Sequence, residues 1–439
     1  MGQYEGDAIR GFEMATYETI FSMDTSSIKF GPGATGEVGF EMRRLGARRV
    51  LVVTDSNLAG SNPVARTLDA LRSEGLETDL YDRARVEPTD ASFRDAIDVA
   101  TEGSYDGYVA VGGGSAIDTA KTANLYATHP ADFLTYVNPP IGQGAPVPGP
   151  LKPLIAIPTT AGTGSETTGV AIFDYTELHA KTGIAHRALR PVIGIVDPDN
   201  TRSMPPMVAA CSGFDVLCHA IESLTAIPYD QREASDSPAM RPSYQGANPI
   251  SDIWAAQALR IMAQNINRAV EHPEDDEARS QMMLAATYAG IGFGNAGCHL
   301  PHGMSYPVSG MVRDFRPEGY EVDHPIIPHG MSVILNAPAV FRWTASVNPD
   351  RHLWAAELIG ADVSDATHDD AGAVLSNAII DLMREVRMPN GLGAVGFEPD
   401  DVPALVEGTL PQHRVTKLSP RPAGPEDLQS LFLDAMRYW

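Results

Sequence analysis

Near Met204-Pro-Pro206 the hydrophobic period of this chain changes, and that change limits what it can fold into. Upstream, from about Arg48 to Asp199, short β-branched runs alternate with helical segments. Arg49-Val-Leu-Val-Val-Thr54, Gly107-Tyr-Val-Ala-Val111, Pro153-Leu-Ile-Ala-Ile157 and Val192-Ile-Gly-Ile-Val196 are apolar without alternation, as strands covered on both faces are. A shorter strand, Thr78-Asp-Leu-Tyr81, and helices over Pro63–Glu74 and Ala91–Glu102 lie between them. Downstream, Met207–Leu224, Ile250–Val270, Glu277–Gly290, Met331–Thr344 and Ala371–Val386 repeat apolar residues at helical spacing, and strand-like runs nearly vanish. The pattern predicts an α/β domain with a parallel sheet over residues 1–203 and an all-helical domain over 204–439. Two long loops, Pro228–Pro249 and Arg313–Pro328, interrupt the helical half, and loops of that length are more often functional than idle.

With 439 residues the chain can bury two substantial cores. A net charge of −24 argues against nucleic acid or an anionic membrane as partner, because phosphate recognition needs clustered cations. No apolar run approaches the ~20 residues of a membrane span. The opening Met1-Gly-Gln-Tyr-Glu-Gly-Asp7 has neither the basic and apolar regions of a secretion signal nor the arginines of a transit peptide, so a cytoplasmic protein is expected. Cys211, Cys218 and Cys298 make no complete disulfide set and read as small buried hydrophobes.

Asp215 and His219 stand four apart in the apolar stretch Cys211–Glu222, so on a helix they project from one face. An Asp-x3-His pair is usually ordinary helix surface. Two more histidines, His302 and His329, sit in Pro-His-Gly settings, and one aspartate with three histidines suits Fe(II) or Zn(II). About a hundred residues upstream, Val111-Gly-Gly-Gly-Ser115 follows a strand and opens a helix, where free backbone N–H groups can hold a pyrophosphate. Asp55 ends the first strong strand, where an acid can take ribose hydroxyls and repel a 2′-phosphate, favouring NAD over NADP. Thr159, Thr160 and Thr163 lie in a hydroxyl-rich loop after another strand. Taken singly, these are also what a tight turn, a capping aspartate and a capped loop look like.

Together, Gly112-Gly-Gly-Ser-Ala-Ile-Asp-Thr-Ala-Lys121, Pro158-Thr-Thr-Ala-Gly-Thr-Gly-Ser-Glu166, Gly213-Phe-Asp-Val-Leu-Cys-His-Ala-Ile-Glu222 and His302-Gly-Met-Ser-Tyr-Pro307 resemble the iron-dependent alcohol dehydrogenase family, in order from about Thr25 to the C-terminus. The resemblance implies a dinucleotide-binding α/β domain, an all-helical metal-binding domain and a metal in the cleft between them. It places Asp215, His219, His302 and His329 on the metal and Asp55, Gly113, Gly114, Ser115, Asp118, Thr159, Thr160, Thr163 and Lys181 at NAD. Thr167–Tyr175, Arg241–Asp252 and Val322–Pro325 resemble the transhydrogenase branch, in which hydride passes from 4-hydroxybutyrate to 2-oxoglutarate through a retained nicotinamide. The metal would act as a Lewis acid toward the substrate oxygen.

Two positions depart from the family. Tyr306 stands where many relatives carry a histidine near the nicotinamide, and Glu87 where an asparagine is common. The alternatives are a dehydrogenase of the same family that releases NADH and, more distantly, a lyase resembling dehydroquinate synthase, whose three-ligand site with a glutamate does not look like Asp215/His219. Small hydroxyacid and oxoacid substrates and a homo-oligomer are expected. A dicarboxylate needs a fixed cation in so acidic a protein, and Arg241 is the first choice, ahead of Arg232, Arg313 and Arg316, with Tyr306 a second substrate contact.

Overall fold

The structure, a computed structural model, describes residues 17–178 and 180–439. Among the described residues, eight strands fall in the first half: β1 (Ser27–Phe30), β2 (Arg49–Asp55), β3 (Glu77–Ala84), β4 (Gly107–Gly112), β5 (Leu154–Pro158), β6 (Val170–Tyr175), β7 (Ala180–Ala185) and β8 (Ile193–Val196). Six of them form a wholly parallel sheet in the order β1-β8-β5-β4-β2-β3. Every residue of β4 and β5 is buried, which is why their sequences carry no alternation. Edge strand β3 is longer than Thr78–Tyr81 and mixes exposed with buried positions.

Two features escape the sequence reading. Strand β1 pairs with β8 at the opposite edge, and β6 and β7 form a separate antiparallel hairpin. The hairpin carries Asp174 and Lys181 beside each other in register.

After Val196 and a short turn at Pro198–Thr201 the described chain is helical, beginning with Pro206–Thr225. This central helix is long and apolar enough to cross a membrane by length and composition, yet 83% of its window is buried inside the protein. Helices Pro249–Glu271 and Asp276–Ala296 pack on it, and together they build the largest apolar core. The helix expected over Met331–Thr344 is two, His329–Ile334 and Ala337–Thr344. Pro338 explains the break, because it has no N–H to give the carbonyl four residues back and sits without strain in a helix's first turn.

Candidate metal and cofactor site

A cavity of about 570 Å³ opens where the carboxyl ends of β2, β4 and β5 face the helical half. Such strand ends are the usual ligand side of a parallel sheet. Asp215 and His219 line it from the central helix, His302 from helix Leu300–Gly310 and His329 from the first position of His329–Ile334.

The four side chains converge on one point. The Nε2 atoms of His219, His302 and His329 lie 3.7, 3.6 and 3.7 Å from Asp215 Oδ1. A tetrahedral ion with bonds of ~2.1 Å holds its donors about 3.4 Å apart, so the set is close to ligating geometry as it stands. Asp215 Oδ1 and His302 Nε2 are buried without any hydrogen-bond partner. Orphaned donors of this kind are costly unless something else satisfies them, and a divalent cation fits both atoms.

Neighbouring groups fix this arrangement. Glu222, seven residues after Asp215, places Oε1 2.6 Å from His302 Nδ1. A carboxylate only accepts, so Nδ1 carries the proton and the Nε2 lone pair is turned toward Asp215. Glu222 Oε2 also accepts the His299 N–H at 2.6 Å. His219 stacks on Phe293 at 3.8 Å between ring centres. Burial raises the Asp215 carboxyl, but His219 and His329 outweigh it and hold it well below the usual carboxylate range. Burial takes His219 down to about 3, which keeps its imidazole neutral and free to donate a lone pair. Burial also works on Glu222, and His302 overcomes it, so that carboxylate stays ionised.

Both Pro-His-Gly segments use their glycine for close approach. A Cβ on Gly330 would stand 2.0 Å from the Cys211 carbonyl oxygen and 3.0 Å from Asp215 Cβ. Only glycine lets the His329 helix lie this close to the central helix. A Cβ on Gly303 would meet the Thr416 methyl at 2.8 Å.

On the sheet side, Gly113 caps helix Gly114–Thr128, and Gly113, Gly114 and Ser115 line the cavity with Thr159, Thr160 and Thr163. Asp55 lines it too. Its Oδ1 accepts the Asn57 and Leu58 N–H groups at 2.9 and 3.1 Å, so half of this carboxylate is a turn cap, and burial raises its pKa. Asp118 is not brought to the cavity wall. Its carboxylate accepts from Ser165 Oγ at 2.7 Å and the Ile172 N–H at 2.9 Å, tying the threonine loop and the hairpin to the glycine helix. Lys181 lines the cavity fully buried, with Nζ 2.5 Å from Glu87 Oε2 and 3.0 Å from Asp174 Oδ1. Burial lowers its pKa, but Asp174 and Glu87 more than reverse the effect, so the ammonium is held charged.

The arginines expected at the substrate are elsewhere. Arg241 Nε lies 3.2 Å from Glu18 Oε2, and the residue is not part of the cavity wall. The chain before β1 supplies that glutamate, an acid the loop sequence gives no hint of. Arg313 pairs with Asp401, and Arg316 donates to the Val322 and Asp323 carbonyls at 3.2 Å. What the Arg241–Asp252 segment does bring to the cavity is Tyr244. His299 bonds Thr225 Oγ1 at 2.9 Å, and His324 lies 2.8 Å from Asp323 in the outer loop. Tyr306 does line the cavity, with its hydroxyl accepting from Arg414 Nη2 at 2.5 Å. Among the residues the sequence reading missed are Glu222 and Arg414. The i, i+4, i+7 spacing of Asp215, His219 and Glu222 was there to find the first, and nothing local marks the second.

A parallel sheet whose glycine turn lines the cavity, facing a helical half that offers one aspartate and three histidines in reach of one metal ion, has the architecture of an oxidoreductase. The chain belongs to the iron-containing alcohol dehydrogenase family: the description "Iron-containing alcohol dehydrogenase" matches residues 25–198, and "Fe-containing alcohol dehydrogenase family, C-terminal" matches 243–436. It is an oxidoreductase. Among curated proteins it is 56% identical to the Rattus norvegicus hydroxyacid-oxoacid transhydrogenase, mitochondrial, over 97% of this chain and 91% of that protein. The protein of the same name from Homo sapiens is 54% identical over 97% and 91%. Among solved structures, a 1,3-propanediol oxidoreductase superposes with a TM-score of 0.83 at 29% identity, covering 95% of this chain and 100% of that one. A sulfoacetaldehyde reductase from Bifidobacterium kashiwanohense, in complex with NAD+, gives 0.77 at 25% identity over 95% and 99%.

One expectation is overturned. The cytoplasmic placement does not stand, since these transhydrogenase relatives are named mitochondrial. It rested on Met1–Asp7, which lie outside the described residues, and a compartment address leaves no mark on the packing of the domains.

Proposed function

We infer that this chain is a hydroxyacid–oxoacid transhydrogenase, oxidising 4-hydroxybutyrate to succinate semialdehyde while reducing 2-oxoglutarate to 2-hydroxyglutarate. The observation that carries the reading is the convergence of Asp215, His219, His302 and His329 on the cavity that the glycine turn also lines. The names of the curated relatives, matched along almost the whole chain, support the transhydrogenase form of it. Bound there, a divalent ion would supply a Lewis acid for a hydroxyl or ketone oxygen, and NAD a reversible hydride acceptor.

The chain's own residues have separate tasks. Asp215 and the three imidazoles would hold the ion, Fe(II) with Zn(II) as the alternative that the same donors accept, and Glu222 aims His302. Gly113, Gly114 and Ser115 present backbone N–H groups to the pyrophosphate, and the threonine loop closes over it. Asp55 takes the adenine ribose, and its charge disfavours the 2′-phosphate of NADP. Lys181, held between Glu87 and Asp174, gives the cofactor a charged donor whose positive charge these carboxylates more than offset. Tyr306 and Phe293 help keep the reacting end dry.

Initial rates test the assignment. Turnover of 4-hydroxybutyrate with 2-oxoglutarate is expected without added NAD, with parallel double-reciprocal lines as succinate semialdehyde leaves before 2-oxoglutarate enters. Strict dependence on added, freely exchanging NAD would instead make the chain a dehydrogenase that releases NADH.

A further inference from the structure

The cavity that holds the metal ligands is lined by acids and by only two described basic side chains, Lys181 and Arg414, apart from its histidines. Lys181 is already matched by Glu87 and Asp174. Arg414 has no carboxylate partner among the described residues. Its Nη2 donates to Tyr306 at 2.5 Å, its guanidinium carbon lies 5.3 Å over the Tyr244 ring, and its Nη1 is buried with no hydrogen-bond partner. A guanidinium keeps its charge under all ordinary conditions, and leaving one of its nitrogens dry and unpaired is costly. In a protein of net charge −24, an arginine steadied by two tyrosines rather than by an acid is a site held open for an anion.

Its place relative to the chemistry is set by two packing facts. Tyr306 is one helical turn from His302, so the two side chains share a helix face. Gly303 lets the Thr416 segment seat directly on that helix, which carries Arg414 to the cavity wall. The guanidinium therefore sits one turn of helix and one hydrogen bond from a metal ligand.

We propose that Arg414 binds the distal carboxylate of the hydroxyacid and then of the oxoacid, with Tyr244 and Tyr306 fixing its plane. The proposal rests on the transhydrogenase reading and explains how one pocket serves both half-reactions. In 4-hydroxybutyrate the carbinol carbon is separated from the carboxylate by two methylenes, and in 2-oxoglutarate the ketone carbon is separated from the distal carboxylate by two methylenes. A single cation at a fixed distance from the metal reads the same spacer in each. Guanidinium suits the task because its two parallel N–H groups match a carboxylate.

The test compares 4-hydroxybutyrate with butan-1-ol, which has the same skeleton without the charge, in the metal-loaded enzyme and in Arg414→Met and Arg414→Lys. For Arg414→Met, kcat/KM for 4-hydroxybutyrate should fall about a hundredfold, mainly through KM, and far less for butan-1-ol. Arg414→Lys, which keeps charge and approximate size and so guards against a misfolded variant, should fall about tenfold. The unmodified enzyme should prefer 4-hydroxybutyrate over 3-hydroxypropanoate and 5-hydroxypentanoate, and Arg414→Met should lose that preference. Equal losses on the charged and uncharged substrates would show a structural role and overturn the proposal, as would undiminished use of 4-hydroxybutyrate by either variant. An unmodified enzyme that turns over butan-1-ol but not the hydroxyacid would overturn the transhydrogenase reading itself.

Discussion

Asp215→Ala is expected to lower turnover by more than about a thousandfold and to leave the purified protein nearly free of metal, while the fold survives. Asp215 Oδ1 is the atom all three Nε2 donors face, and it is the only anionic member of the set. Without it the ion keeps three neutral imidazoles and loses its charge partner. The residue lies inside a helix that alanine favours, and its carboxylate makes no hydrogen bond through Oδ1 that the fold relies on. Metal content by plasma mass spectrometry and thermal unfolding with and without chelator separate the effects. Fe(II) should raise the midpoint of the unmodified protein and not that of the variant, because an ion stabilises only what binds it. A variant with full metal content and activity would show that the four donors are not the ligand set.

Gly330→Ala should be the most damaging single-methyl change near the site. Its Cβ would stand 2.0 Å from a backbone oxygen of the central helix, and unlike a side-chain tip that carbonyl cannot rotate aside. The helix beginning at His329 must then move away, and His329 moves with it. We expect a loss of about 3 kcal/mol in denaturant unfolding together with weakened metal binding. Gly303→Ala meets side chains rather than backbone, the Thr416 methyl at 2.8 Å and a Val415 methyl at 3.4 Å, and should cost clearly less. A Gly330→Ala midpoint equal to that of the unmodified protein would contradict the close-packing account of the second Pro-His-Gly segment.

Burial on both faces made β2, β4, β5 and β8 legible, because such strands need no alternation and admit few polar residues. Strand β1 was not legible: four residues, Ser-Ile-Lys-Phe, at a sheet edge carry too little pattern. The β6–β7 hairpin was hidden because its residues serve as a support for the cavity rather than as core sheet. Within the site, helical spacing put Asp215 and His219 on one face, but only the Pro-His-Gly settings of His302 and His329 and the family resemblance joined the four into a ligand set. Arg241 stands out in the sequence because its segment resembles the transhydrogenase branch, whereas nothing local marks Arg414. The partner of Arg241, Glu18, stands 223 positions earlier, and Arg414 reaches Tyr306 across 108 positions. Arginines are alike in sequence, and only three-dimensional neighbours separate a paired one from one left open.

Hydride bookkeeping tests the central claim most directly. The enzyme is given 4-hydroxybutyrate deuterated at its carbinol carbon, with unlabelled 2-oxoglutarate in ordinary water and no added nucleotide, and the 2-hydroxyglutarate formed is weighed by mass spectrometry. Transfer through a retained nicotinamide predicts one deuterium on the carbon that had been the ketone. Product without the label, or no product until NAD is supplied, would contradict it.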